Sequence, residues 1–137
     1  MIVAYIDGGA RGNPGPAGYG VRIEDEMGAL IEEFNGFLGS ATNNVAEYNG
    51  LLAALRYAQA HGHRKVRVKS DSELLVKQMK GEYRVKNAGL QPLYQEACAM
   101  AKALDRIVYE HVRREQNKDA DRLANLAMDE GTNARSQ

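Results

Sequence analysis

Ile2-Val3-Ala4-Tyr5-Ile6-Asp7-Gly8-Gly9 decides how the rest of the chain is read. A short β-prone run meets an acid and two glycines, the pattern of a strand closed by a turn. Much further along, Val66-Arg67-Val68-Lys69 alternates in the same way and stops at Ser70-Asp71-Ser72. If these two strands are parallel neighbours joined through a helix, Asp7 and Asp71 project from one sheet edge. Open α/β sheets usually keep their sites at that edge.

Working outward, residues 8–20 hold six glycines with Pro14 and Pro16, and read as a loop of defined turns. Residues 20–24 and 30–37 read as strands, with Gly28 after Glu24-Asp25-Glu26 marking the hairpin between them. The period changes at Thr42: Tyr48, Leu51, Leu52, Leu55 and Tyr57-Ala58 recur every three or four residues, a helix ending near His61-Gly62. Beyond the 66–69 strand come a short helix over 72–80, a helix over 92–104, a strand at 107–109 and a helix over 119–128. A three-strand antiparallel meander followed by βα alternation predicts an α/β fold: a mixed five-stranded sheet, two further strands being parallel, flanked by helices. Residues 1–130 form one domain in this reading, with 131–137 a frayed polar tail.

The bulk numbers agree. A chain of 137 residues buries about two-thirds of its unfolded surface, enough for one core. With 44% hydrophobic and 26% charged residues it has neither a disordered nor a coiled-coil composition. Cys98 is the single cysteine, which excludes an internal disulfide framework and a cysteine-based zinc cluster. Met1 leads directly into the first strand without a basic leader, and no apolar run is long enough for a membrane span, so the expectation is a cytoplasmic protein.

Four acids hold notable places on this map: Asp7 and Asp71 at strand ends, Glu47 and Asp121 in the first turns of the first and last long helices. Each alone has an ordinary explanation. Asp7-Gly8 is a turn signal, Glu47 and Glu73 stand at capping-box spacing after Asn44 and Ser70, and Asp121 suits a helix N-terminus. Together, four carboxylates near one edge repel unless a hard cation sits among them. Oxygen ligands without a Cys or His cluster select Mg²⁺ or Mn²⁺ over zinc, and two such ions suit in-line displacement at phosphorus.

Asp7-Gly8-Gly9-Ala10-Arg11-Gly12-Asn13-Pro14-Gly15-Pro16-Ala17-Gly18-Tyr19-Gly20 resembles the opening motif of the type 1 ribonucleases H. Thr42-Asn43-Asn44-Val45-Ala46-Glu47 resembles their second motif, Ser70-Asp71-Ser72 their third, and Asn117-Lys118-Asp119-Ala120-Asp121-Arg122-Leu123-Ala124 their last. The motifs occur in family order across roughly residues 1–128. The resemblance implies a ribonuclease H-like fold and Mg²⁺-dependent endonucleolytic cleavage of RNA paired with DNA, by two metal ions with Mn²⁺ as a substitute. It implies products with 5′-phosphate and 3′-hydroxyl ends, and a monomer with no membrane or obligate protein partner. Carried across, Asp7, Glu47, Asp71 and Asp121 match the catalytic and metal-binding carboxylates, with Asp7 bridging the ions. Gly8, Asn13, Thr42, Asn43, Asn44 and Asn117 match substrate-contacting positions. Amides and hydroxyls can bond 2′-hydroxyls and phosphates without reading bases. Helix capping is the alternative for Thr42, Asn43 and Asn44, and a cap or a support for Asp121 the alternative for Asn117.

The chain departs from the family pattern in three places. The loop histidine that many relatives carry before the last catalytic Asp is missing from Arg113-Arg114-Glu115-Gln116-Asn117, and His111 reads as structural or simply exposed. Arg114 is the candidate for the vacant role; as a guanidinium it cannot be a general base but can bind the scissile or leaving phosphate. A surface Arg beside Glu115 is the plainer alternative. Many bacterial relatives insert a basic helical handle between positions matching Lys80 and Pro92, where this chain has only residues 81–91 with Arg84 and Lys86 as cations. Glu73 stands where relatives often have a hydrogen-donating Gln. Two rivals remain: a non-catalytic hybrid-binding module on the same fold, and a Mg²⁺-dependent phosphatase on another scaffold, for which the Asn13 and Thr42 motifs have no obvious use. Eighteen Lys and Arg against eighteen Asp and Glu leave no net charge, but residues 1–50 carry −5 and residues 51–90 carry +6. That division predicts a modestly basic middle beside a metal-neutralised acidic site, and a light hold on substrate.

Overall fold

The computed structural model describes the backbone of residues 1–136 and the side chains of residues 1–133. Three strands come first, β1 (Ile2–Ala10), β2 (Gly15–Glu24) and β3 (Leu30–Ala41), followed by helix α1 (Asn43–Ala60). Then come β4 (Lys65–Ser70), α2 (Glu73–Met79), α3 (Gln91–Lys102), β5 (Arg106–His111), a 3₁₀ turn (Arg114–Gln116) and α4 (Lys118–Ser136). The order is the one expected from the pattern, and the strands form one mixed sheet in the order β3-β2-β1-β4-β5. β1 and β2, and β2 and β3, pair antiparallel; β4 lies parallel to both β1 and β5.

Period-two alternation on the strands and a broad apolar face on α1 build the core. Ile2, Ala4 and Ile6 of β1, Val21 and Ile23 of β2, and Val66 and Val68 of β4 are buried with Leu51, Leu52 and Leu55 of α1. Burying a side chain of this size contributes about 1.5–3 kcal/mol, so this layer holds the crossover that makes β1 and β4 parallel. Thr42 starts α1, its Oγ1 accepting from the Val45 N–H at 3.2 Å. The other sheet face is covered over β1–β3 by α4, through buried Ala120, Leu123, Ala124 and Ala127. At the β2–β3 turn, Asp25 Oδ1 accepts from the N–H groups of Met27 and Ala29, both at 2.9 Å, and Gly28 has φ +86°.

Two expectations are corrected. Residues 8–20 are not a loop: β1 and β2 stay paired from Asp7↔Gly20 through Ala10↔Ala17, leaving only residues 11–14 as the turn. The glycines serve close packing. A Cβ on Gly8 would collide with the Ala46 carbonyl of α1, and one on Gly20 with the Ala120 carbonyl of α4; of the six, only Gly12 has a positive φ, +96°. The last helix also continues past Met128 to Ser136, so a tail beginning at 131 is not seen; Gln137 lies outside the described residues. Gly131 keeps the helix against β3, since the Phe37 ring fills the space a side chain would need. Among the described residues no helix is long and apolar enough to cross a membrane.

Candidate active site

The parallel β1–β4 pair sets the site. Ile6 lies opposite Ser70, so Asp7 and Asp71 emerge together from neighbouring strands. Asp121 reaches the same place from the first turn of α4. Glu47 comes from the fifth residue of α1, just past the first turn, because the cap is Thr42 and not Asn44. All four carboxylates line one open cleft of about 630 Å³.

The crowding shows in their proton affinities. Burial pushes the Asp7 carboxyl up to about 8, with the Asp71 charge and a shared hydrogen bond with Asp121 acting in the same direction. The Gly8 backbone N–H opposes this by donating to Asp7. Glu47 rises to about 6, again through burial first; a Ser72 hydrogen bond lowers it and the Asp71 charge raises it. Among the described residues no three Asp, Glu, His or Cys side chains stand together as a ready-made metal cage. The carboxylates meet as pairs that share Asp7 and Asp71. The donors are nonetheless all oxygen, and a hard divalent cation would relieve the repulsion between them, so the set fits such an ion by its chemistry.

The polar residues around the cleft divide. Asn43 lines it; its Oδ1 accepts from the Ala10 N–H at 2.7 Å, and its own N–H donates to Asn13 Oδ1 at 3.1 Å. Asn13 and Asn43 therefore tie the β1–β2 turn to the start of α1. Thr42 is occupied as the cap, and Asn44 is exposed outside the cleft lining. Asn117 is corrected as a substrate contact: it is 1% exposed and lines a separate cavity behind the site. Its Nδ2 donates to the Ile6 carbonyl at 2.9 Å, and its own carbonyl accepts from the Asp121 N–H at 3.1 Å. Packing between β1 and α4 buries it, so it supports Asp7 and Asp121 from below.

Arg114 lines the cleft, exposed, with no ion pair on its guanidinium among the described residues. His111, at the end of β5, is exposed and lines the same cleft. Glu73 is taken by Lys77 at 2.7 Å, which holds its carboxyl below the usual range. Three cleft residues were not singled out from sequence: Arg11, Arg113 and Asn125. Asn125 carried a usable signal, lying four residues after Asp121 and so on the same helix face; Arg11 was hidden inside a motif read for its glycines.

Fold and cleft define a class: a mixed-sheet α/β domain with four carboxylates gathered where parallel strands end. The family described as reverse transcriptase-like matches residues 5–127. RNase H1 from the archaeon Halobacterium salinarum superposes with a TM-score of 0.91 at 37% identity, covering 94% of this chain and 98% of that one. LC11-RNase H1, solved in complex with an RNA/DNA hybrid, superposes with a TM-score of 0.92 at 42% identity, covering 96% and 99%. The bifunctional protein Rv2228c of Mycobacterium tuberculosis is 48% identical over 129 residues, 93% of this chain but 35% of its own length, so the chain spans about a third of that relative. The chain belongs to the ribonuclease H family.

Proposed function

We propose that this chain is a divalent-metal-dependent endonuclease that hydrolyses the RNA strand of RNA/DNA hybrids, leaving 5′-phosphate and 3′-hydroxyl ends. The observation that carries this reading is the convergence of Asp7, Glu47, Asp71 and Asp121 on one cleft. Its closeness to a family member solved on a hybrid supports the substrate class.

Asp7, Glu47, Asp71 and Asp121 would hold two Mg²⁺ ions. Bound there, the metal supplies activation of the attacking water and neutralisation of charge on the phosphate. The chain's own groups position the strand. Asn43 presents its amide at the cleft, braced by Asn13, and can bond sugar and phosphate oxygens without reading a base. Arg114 offers a free guanidinium to the scissile or leaving phosphate, permanently charged and so unable to take a proton from water. Nothing on the cleft wall requires the negative cluster for binding alone, and acids facing phosphate would weaken a pure binder; this favours the catalytic reading.

The test is a panel of end-labelled substrates: RNA/DNA hybrid, RNA duplex, DNA duplex and single strands, each with Mg²⁺ or EDTA. Mg²⁺-dependent cutting of the hybrid's RNA strand, with 5′-phosphate on the downstream product, is expected. Binding of the hybrid without cutting under any metal would instead identify a binding module.

A further inference from the structure

On α4, Asp121, Asn125 and Asp129 recur every four residues and form one stripe facing the turn between β1 and β2. The Asn125 side chain folds back along the helix. Its Nδ2 donates to the Asp121 carbonyl at 3.0 Å and to Asp121 Oδ1 at 3.3 Å. Arg11, on the turn, closes the arrangement from the other side. Its Nη1 lies 2.6 Å from Asp129 Oδ1, and its Nη2 donates to Asn125 O and Oδ1, each at 3.5 Å. Asn125 and Arg11 both line the catalytic cleft.

We infer that Asn125 is a positioning residue for Asp121, holding its carboxylate in the cleft through an amide that Arg11, anchored by Asp129, keeps in place. The inference rests on the proposed role of Asp121. An isolated Asp on the first turn of a helix can adopt several rotamers. The amide's hydrogen bond to Oδ1, made by a group itself anchored on the Asp121 backbone carbonyl, narrows that choice before substrate or metal arrives, so less ordering remains when the site fills. Asn is also a poor helix former at an interior position, and bonding to the preceding turn gives it a use there that a better helix former lacks. The same exposed ion pair joins the turn bearing Asn13 to α4 across the cleft.

Two substitutions separate positioning from packing. Asn125→Leu keeps the volume and removes the donor; Asn125→Gln keeps the donor. Binding of Mn²⁺ alone, without nucleic acid, is measured by titration calorimetry, and kcat and KM are measured on a hybrid. Asn125→Leu is expected to weaken Mn²⁺ binding and lower kcat by about tenfold each, the usual effect of losing a ligand's hydrogen-bond partner, with KM little changed. Asn125→Gln should recover much of both. Wild-type Mn²⁺ affinity and kcat in Asn125→Leu, or equal losses in Leu and Gln variants, would overturn the inference. If Asn125→Leu does not fold, Arg11→Met breaks the clamp from the far side and should shift Mn²⁺ affinity in the same direction; an unchanged affinity there counts against it. A wild-type chain that binds Mn²⁺ but cuts no hybrid defeats the proposed activity, and the calorimetric shift then decides the role of Asn125.

Discussion

Asp7 carries more of the site's cost than any other residue. In the unfolded chain its carboxyl ionises near the ordinary value of 3.8, whereas in the folded, metal-free protein it holds its proton up to about 8. Glu47 behaves likewise, rising from 4.5 to about 6. Both folded values lie above the unfolded ones, so the native state binds more protons across this window and stability must fall as pH rises through it. The metal-free melting temperature should therefore decline from about pH 4 to about pH 8, and Mg²⁺ should restore most of the loss at the upper end. A metal-free profile that rises over this range, or no effect of Mg²⁺ at its alkaline end, would contradict the account. Asp7→Asn removes the cost of keeping that carboxyl protonated in the fold and should raise the metal-free melting temperature at neutral pH while abolishing cleavage. Arg114→Ala tests the other sign of charge: losing a charge-assisted bond worth roughly 1.5–3 kcal/mol lowers kcat/KM by about tenfold or more, and unchanged kinetics would reduce Arg114 to a surface residue.

At the scale of elements, the strand and helix order was legible because period-two and period-3.6 patterns alternate cleanly along the chain. The stretch over residues 8–20 was not, because glycine has two uses that look alike in sequence. Gly8 and Gly20 sit in strands where α1 and α4 press against the sheet, which no local rule reveals. Gly20→Ala makes this checkable by stability alone, without an activity assay: overpacking against the Ala120 carbonyl should cost about 1–3 kcal/mol or more in denaturant unfolding, where a loop glycine would tolerate the change. Thr42 was legible in both its readings, and the structure assigns it the cap; Thr42→Ala should cost about 1 kcal/mol. The carboxylates were legible because each falls within a few residues of an element boundary, Asp71 directly after β4 and Asp7 three residues before the end of β1. Asn117 and Asn125 were obscured because a side chain's direction depends on tertiary packing: one Asn turns into the protein and the other back along α4.

Over the whole molecule, the basic middle segment is less free than its charge of +6 suggested. Arg56 pairs with Glu96, Arg64 with Asp105, Arg67 and Lys69 with Glu110, and Lys77 with Glu73. Lys80, Arg84 and Lys86, in the short connection between α2 and α3, carry no ion pair among the described residues. Substrate grip outside the cleft thus falls to a few cations, so few counterions are released and hybrid affinity should be low, with only a shallow fall between about 50 and 200 mM salt; tight binding with a steep salt dependence would contradict this. The central claim is that four carboxylates gathered by the β1–β4 pair cut the RNA strand of a hybrid. The most direct measurement follows one end-labelled hybrid with wild-type protein and with Asp7→Asn, both in Mg²⁺, and records bound and cut fractions together. The account predicts cutting by the wild type alone, with hybrid still bound and the fold intact in Asp7→Asn; cleavage that survives in Asp7→Asn would contradict it.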